Sequence, residues 1–323
     1  AILFRVLDLC HGALLQHTTI TKRELFYHDV SLFGKQSRVD DLIDDLAATF
    51  GVNRSDLNVT ASPKGLVCGS AASIELYMRS YLRVFPNFKP TLIPPGDEIA
   101  QIIANEALGY VLVVEKEAVF QTLCTSGFAD SELLPRRGLI MTGQPDVATR
   151  EFVHTLGVIL PESIPILLLV DADVYGLEIA SVYKYGSRRM RHEAETLTCP
   201  RAEWIGVRGS EISSFGIHPD TLLPITEPDY KKSLELLSRP DSVMPSSWKR
   251  ELAHLLHIRR KAEIEIMATA TFAKIPPPPS LMLSNNVPAG SLDSYLFSSW
   301  AALAKGPPLI PYLISKISRA LAV

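Results

Sequence analysis

The sequence is poor in the features that mark secreted, zinc-binding or membrane-spanning proteins. Its four cysteines lie far apart and form no paired motif: Cys10, Cys68, Cys124 and Cys199. Unpaired thiols in a reducing compartment, with no zinc site, are the simplest interpretation. No apolar run approaches the roughly 18 residues that a membrane span needs, so no membrane partner is expected. The chain starts at Ala1 without a signal-peptide pattern, and we expect an N-terminally trimmed fragment.

An excess of basic charge is also absent. The 323 residues carry a formal net charge of −3 at pH 7, whereas proteins that bind nucleic acid through bulk electrostatics are strongly basic. Any contact with phosphates must therefore come from local patches. The hydrophobic share of 47% and the charged share of 21% are typical of a globular protein, and the length predicts about two domains.

The most informative stretch is ILLLVDADVYGLEIA, residues 166–180. A dense apolar run, turn residues and then a helical pattern predict a buried parallel strand that leads into a helix. Asp171 and Asp173 follow that strand, at the end where open α/β sheets place their ligands. Two hard oxygen ligands so close together suit Mg²⁺. In the alternative interpretation, one Asp caps the helix and the other is solvated.

A second acidic strand end lies upstream. Residues 110–114 form an apolar run that ends in Glu115, and the repeated strand–helix pattern predicts a parallel sheet. If the two strands are neighbours, Glu115 joins Asp171 and Asp173 at one edge of the sheet. Three carboxylates held together repel one another unless a cation is present, and Mg²⁺ is the expected cofactor.

The N-terminal residues predict a set of helices. One helix is expected over residues 2–16, and Thr21 and Glu24 fit a capping box at the start of a short second helix. A turn over residues 30–34 and a longer helix that ends near Gly51 follow. Short helix, turn and longer helix make up the helix-turn-helix arrangement.

Two short strands are expected to complete this unit, at residues 57–60 and 66–68 around a turn, as a wing. We therefore predict a winged-helix domain over residues 1–75. Four acidic residues of its long helix are assigned to a solvated face: Asp40, Asp41, Asp44 and Asp45.

Tyr27 lies four residues after Arg23, so the two side chains share one face of the short helix. A phenol has a pKa near 10 and is a poor nucleophile at neutral pH. A neighbouring cation lowers that cost and can hold a phosphate oxygen. In the alternative interpretation, Tyr27 only packs at the helix end with Arg23 stacked on it.

Three further segments complete the predicted organisation. Residues 76–105 are rich in proline and predict a linker. Residues 106–270 hold the strand–helix pattern. The tail, residues 271–323, has a four-proline run and no recognisable chemistry. No fold is assigned to the tail as a whole, and residues 311–323 suit a short amphipathic helix.

Two stretches together resemble one family. KRELFYHDVSLFGKQSRVDDLIDDL resembles the active-site region of the meiotic double-strand-break transesterase, the eukaryotic relative of the topoisomerase VI (type IIB) A subunit. VEKEAVFQ and LLLVDADVYGLEIASVYKYGS resemble the toprim domain of that family. By this resemblance the nucleophile corresponds to Tyr27 and its supporting arginine to Arg23, and the Mg²⁺ ligands correspond to Glu115, Asp171 and Asp173.

The resemblance implies a concrete activity and set of partners. The fold class would be α/β, with an N-terminal winged-helix (helix-turn-helix) domain followed by a toprim domain with a parallel sheet. The tyrosine would cut double-stranded DNA through a 5′-phosphotyrosyl link, with Mg²⁺ as cofactor. The expected assembly is a homodimer, or a heterotetramer with a B-like subunit of topoisomerase VI, acting in the nucleus with accessory meiotic proteins.

The chain departs from the family pattern at two positions. It has TGQPDVATR where the family usually has a Gly-Lys-Gly loop before Pro-Asp, and Val174 where the family usually has proline. The shortened loop motivates a second hypothesis, a non-catalytic winged-helix DNA-binding or scaffold protein. A third hypothesis is a toprim metal-dependent nuclease in which Tyr27 is only structural.

Overall fold

The computed structural model describes residues 1–60, 64–77, 81–83, 89–269 and 307–322. The α-helices in these ranges are α1 (Ile2–Leu15), α2 (Lys22–His28), α3 (Val30–Phe33), α4 (Gln36–Phe50), α5 (Glu117–Thr125), α6 (Val147–Ile159), α7 (Val174–Tyr185), α8 (Ala194–Leu197), α9 (Gly209–Ile212), α10 (Glu227–Leu237), α11 (Ser246–Ile258), α12 (Ile266–Thr269) and α13 (Leu309–Leu321).

The strands are short at both ends of the chain and longer in the middle. They are β1 (Ile20–Thr21), β2 (Val59–Thr60), β3 (Leu66–Cys68), β4 (Ala72–Leu76), β5 (Tyr81–Arg83), β6 (Thr91–Leu92), β7 (Ile99–Ala104), β8 (Leu108–Val114), β9 (Arg137–Thr142), β10 (Ile166–Leu169), β11 (Ala202–Gly206), β12 (Leu223–Pro224) and β13 (Arg260–Lys261).

The N-terminal helices form as predicted around a small core of their own. Leu25, Phe33 and Ile43 are fully buried in it. The capping box is complete, because the backbone N–H of each partner donates to the side chain of the other, over 2.7 Å and 3.1 Å. One detail is wrong: the predicted turn over residues 30–34 holds the one-turn helix α3, which the Asp29 side chain caps.

The predicted wing is wrong. β2 does not form a hairpin with β3 but pairs in parallel with β1. β3 pairs antiparallel with β9 and β6 in the central sheet. The physical reason is burial, since Val67 and Cys68 are fully buried in the central sheet, whereas a wing would leave one face of so short an apolar strand in water.

The predicted parallel sheet is confirmed. The central sheet has the strand order β11-β10-β8-β9-β3-β6, and β11, β10, β8 and β9 are parallel. Side chains alternate between two cores: Val111 and Val113 face one core, Leu112 and Val114 the other. Residues of α6, α7 and α11 cover the first face, and residues of α5 and α13 cover the second. Both faces are buried, as in other α/β sheets.

Residues 76–105, predicted to be a linker, contribute to an antiparallel sheet of order β5-β4-β7. Ile74 and Ile102 are paired across this sheet and buried against the central core. The linker prediction, which relied on the prolines, was therefore wrong, because apolar side chains on one face of these short strands favour a sheet.

Two further expectations met different outcomes. The cysteines were expected to be unpaired, but the structure joins Cys68 to Cys124 in a disulfide, with Cα atoms 6.7 Å apart. In the tail, α13 confirms the amphipathic helix, and its Tyr312 and Leu313 are buried against the sheet. Residues 270–306 lie outside the described residues. Across the described ranges, no helix combines the length and the apolar character that a membrane span requires.

Candidate active site: an exposed tyrosine and an acidic strand edge

Helix α2 carries Tyr27 on its outer side. Its first turn is fixed by the capping box, and the fully buried Leu25 holds it against the N-terminal core. Lys22 ties the same helix to α4, since its ammonium group donates to the Asp44 carboxylate and, over 3.2 Å, to the Asp40 carbonyl. Tyr27 itself is 59% exposed. The sequence therefore fixes the helix and leaves the phenol accessible to a large substrate.

Arg23 and Tyr27 contact each other as their spacing predicts. The Arg23 guanidinium donates a long hydrogen bond of 3.5 Å to the Tyr27 hydroxyl, and its Cζ lies 5.7 Å from the ring centroid. The hydrogen bond and charge of Tyr27 raise the pKa of Arg23 above its usual range. Phe26 packs at the other side, with ring centroids 5.6 Å apart. The Arg23 side chain thus places a positive charge beside the phenol oxygen.

The three predicted acids lie at the same edge of the sheet, after the carboxyl ends of β8 and β10. These strands are in parallel register, with Val114 opposite Leu169, so the residues that follow them reach the same edge. The Glu115 carboxylate accepts the Asp171 backbone N–H over 2.9 Å. Asp173 caps α7 by accepting the Gly176 N–H over 2.7 Å. One Asp does cap the helix, but the other is not solvated, because Asp171 is only 5% exposed.

Burial makes these carboxylates hard to ionise. Desolvation, then repulsion from Asp171, raises the pKa of Glu115 to about 7. Desolvation raises the pKa of Asp171 to about 6 and also raises that of Asp173. Buried carboxylates with raised pKa values are stabilised in their charged form by a nearby cation. Their hard oxygen donors match the chemistry of a divalent ion such as Mg²⁺.

Two lysines that sequence reasoning missed lie beside these acids. The Lys116 ammonium is 3.2 Å from Asp171 Oδ2. Lys261 pairs with Asp229 over 2.7 Å, and its positive charge partly offsets the rise in the pKa of Asp173. Burial lowers the pKa of Lys116, but the nearby acids outweigh it and the pKa is raised. The position of Lys116 directly after Glu115 in the sequence could have predicted that it lies beside the acids. No local pattern in the sequence predicts this for Lys261.

The fit to a metal ion rests on donor chemistry. In the described part of the chain, no three His, Cys, Asp or Glu side chains are grouped so as to hold a metal ion as they stand. Each predicted ligand already has a protein partner: Asp171 for Glu115, Ile264 and Lys116 for Asp171, and Gly176 for Asp173.

Tyr27 and the acids are not brought together. Among the described residues, no hydrogen bond or ion pair joins Tyr27 to Glu115, Asp171 or Asp173. The two parts are instead linked by an ion network that predictions from the sequence missed. Lys22 and Arg54 both approach Asp44, and Arg54 pairs with Glu193 over 2.9 Å. Asp44, assigned to a solvated face, is buried in this network.

Comparison with known proteins covers both parts. Residues 110–275 match the family model for the toprim domain of Spo11 and the topoisomerase 6 A subunit. Residues 1–59 match the family described as type IIB DNA topoisomerase. A toprim domain is in general a divalent-metal-binding domain.

Curated relatives agree with these matches. The chain is 39% identical to the A3 subunit of DNA topoisomerase 6 from Oryza sativa subsp. indica over 83% of this chain and 59% of that protein. It is 35% identical to meiotic recombination protein SPO11 of Mus musculus, over 83% and 66%. It is 37% identical to meiotic recombination protein rec12 of Schizosaccharomyces pombe, over 82% and 72%.

The chain thus spans less than two thirds of the length of the rice and mouse relatives. The tyrosine-bearing helices and the acidic sheet edge fall within the two matched regions. This protein therefore belongs to the family of Spo11 and the topoisomerase 6 A subunit.

Proposed function

We propose that this protein is a DNA-cleaving transesterase that makes meiotic double-strand breaks, with Tyr27 as nucleophile and Arg23 as its supporting cation. The observation that carries the proposal is the exposed Tyr27 phenol beside the Arg23 guanidinium, on a helix whose base is rigidly capped. The membership in a family whose relatives include meiotic recombination proteins supports the meiotic role.

The reaction replaces one phosphodiester bond of the DNA by a phosphodiester bond to the protein. The Tyr27 oxygen attacks the DNA phosphorus, the bond from phosphorus to the 3′ oxygen breaks, and a 5′-phosphotyrosyl bond forms. The phenol proton is lost to solvent, and the departing 3′ oxygen takes a proton to become a hydroxyl, so no oxidant or nucleotide cofactor is consumed. Arg23 holds a phosphate oxygen and stabilises the negative charge that develops on it.

Glu115, Asp171 and Asp173 would hold Mg²⁺. When bound, the ion neutralises charge on the phosphate. The residues themselves supply buried hard oxygens, and the N–H groups of Ile264 and Gly176 orient two of the three carboxylates. The raised pKa values of Glu115 and Asp171 support a role that needs a cation, because a cation at this edge would offset the cost of holding buried carboxylates in their charged form.

The proposed assembly is a dimer in which Tyr27 of one copy acts with the acids of the other. Tyr27 lies on helices that have a hydrophobic core of their own, and the acids lie beside the core of the central sheet, which is compatible with this arrangement. In the same proposal the N-terminal helices face double-stranded DNA as a helix-turn-helix module. Accessory meiotic proteins and a B-like subunit of topoisomerase VI complete the complex, and the site of action is the nucleus.

Covalent protein–DNA adducts test this proposal. The full chain, expressed with its natural partners, is compared with Tyr27→Phe in the presence and absence of Mg²⁺. Tyr230→Phe is the matched control, because Tyr230 is an exposed tyrosine of α10. We expect adducts from the wild type and the control but none from Tyr27→Phe. Hydrolytic cuts that persist in Tyr27→Phe would support the nuclease hypothesis, and no cutting by the wild type would support the scaffold hypothesis.

A further inference from the structure

Lys116 lies between the acidic strand end and the helix that follows it. Its ammonium group is 3.2 Å from Asp171 Oδ2, 3.7 Å from Glu263 Oε1 and 3.9 Å from Glu265 Oε1. The side chain is about one third exposed, less than either glutamate. One lysine therefore touches a buried acid on one side and two more exposed acids on the other.

Asp171 presents its two oxygens to different partners. Oδ1 accepts the Ile264 backbone N–H over 2.9 Å. The segment that supplies this N–H is held against the strand end by a two-way backbone bridge between Ala172 and Ala262, at 2.8 Å and 3.1 Å. Oδ1 thus already accepts a backbone hydrogen bond. Oδ2 faces the Lys116 ammonium group, so it is the oxygen at which a divalent cation would replace a positive charge of the chain.

We propose that Lys116 is a built-in counter-ion that competes with a divalent cation for Asp171 Oδ2 and so sets the metal affinity of the acidic edge. This inference rests on the proposed function in one respect, the assignment of Asp171 as a metal ligand. It goes further by naming a residue that tunes the site without being a ligand.

The geometry supplies both halves of an exchange. A divalent ion at Oδ2 repels the ammonium group, because two cations a few ångströms apart raise each other's electrostatic energy. Glu263 and Glu265 are already within 4 Å of that group, so it stays paired after it leaves Asp171. A positive charge therefore neutralises the acidic edge both with and without a bound divalent ion. The competition from Lys116 lowers the affinity of the edge for that ion.

The test measures metal affinity without DNA. The full chain is titrated with Mg²⁺ and with Mn²⁺ at one pH and ionic strength, by calorimetry and by the shift in melting temperature. Lys116→Met removes the competing charge, and Lys116→Arg keeps it. Lys232→Met is the matched control, since Lys232 is a similarly exposed lysine whose ion-pair partners are Glu178 and Glu235 rather than Asp171.

We expect Lys116→Met to bind Mg²⁺ on the order of tenfold more tightly than the wild type, because the substitution removes a positive charge that lies next to the metal ligand Asp171. Lys116→Arg and Lys232→Met should stay within about twofold of the wild type. Circular dichroism of each variant shows that it is folded before titration.

Unchanged or weaker binding by Lys116→Met overturns the inference, and so does an equal gain in Lys116→Arg. It is also overturned if neither the wild type nor Lys116→Met binds a divalent ion. Adduct formation is scored separately: a wild type that gives no Tyr27-dependent adducts, beside a Lys116→Met protein with tighter Mg²⁺ binding, would reject the proposed function and leave this inference standing.

Discussion

The ion pair between Arg54 and Glu193 should be a main determinant of how firmly the tyrosine-bearing helices sit on the toprim domain. Arg54 donates to the Glu193 carboxylate from its Nε, its Nη2 and its own backbone N–H, over 3.1 Å, 2.9 Å and 3.2 Å. The two side chains are only 10% and 4% exposed. Such a fork-shaped, buried contact is strong and geometrically specific.

The perturbation is Arg54→Met, which keeps much of the length of the side chain and removes its charge. Breaking one half of a buried ion pair costs about 3–5 kcal/mol, because the remaining charge stays in a poorly solvated place. Glu193 has further contacts besides Arg54. We therefore expect a loss near the lower end of that range, about 3 kcal/mol in the free energy of unfolding.

The assay is urea denaturation of the full chain, followed by tryptophan fluorescence and circular dichroism. Arg54→Met with Glu193→Gln removes both charges and should recover a large part of the loss, since neither charge is then buried alone. Lys231→Met is the control, because Lys231 pairs with Glu227 at the surface, where both side chains are more than 70% exposed. That variant should change stability by less than about 0.5 kcal/mol.

Two results would refute this reasoning. The first is a cost below about 1 kcal/mol for Arg54→Met, which would mean that water reaches the pair as freely as it reaches a surface pair. The second is a double variant that is no more stable than Arg54→Met, which would show that the loss comes from packing of the arginine stem rather than from the uncompensated charge.

Two further predictions concern the acidic edge. Gly176→Ala would press a Cβ against the Asp171 carbonyl oxygen, so it should lower the free energy of unfolding by about 2 kcal/mol in urea denaturation and weaken Mg²⁺ binding. Gly12→Ala is the control, because its Cβ would have nothing within 4 Å, and it should be neutral or stabilising. The pKa of Glu115 is raised from 4.5 to about 7 in the folded protein. Its contribution to stability is therefore full below pH 4.5 and should be lost as the pH rises through about 7. Added Mg²⁺ should therefore raise the melting temperature more at pH 8 than at pH 5.5; an equal rise at both would contradict the assignment.

Local patterns predicted the elements that carry the site. The run of apolar residues before Asp171, the capping box of Thr21 and Glu24, and the four-residue spacing of Arg23 and Tyr27 are all encoded within a few positions of each other. Each produced the expected strand, helix start or side-chain contact. Such features follow from backbone and side-chain geometry within one or two turns.

Long-range partners were not predictable in the same way. A three-residue strand such as β3 carries no information about its neighbour, so it was assigned to a wing although it pairs with β9. Asp44 was assigned to solvent because its partners Lys22 and Arg54 lie elsewhere in the chain. The pairing of Cys68 with Cys124 spans 56 residues. In each case tertiary burial decided the outcome, and periodicity reports only which side of an element is apolar.

The buried network also bears on which copy of the chain supplies each half of the proposed active site. If Tyr27 reached the acids of its own chain by a movement of the N-terminal helices relative to the toprim domain, the buried contact between Arg54 and Glu193 would resist that movement. If Tyr27 acts with the acids of a second copy, the contact stays intact and instead holds the tyrosine helix in a fixed orientation toward the partner. Under the dimer proposal, Arg54→Met should therefore lower adduct yield even at temperatures where the variant remains folded. If the site lay within one chain and needed the helices to move, the same change should raise the adduct yield.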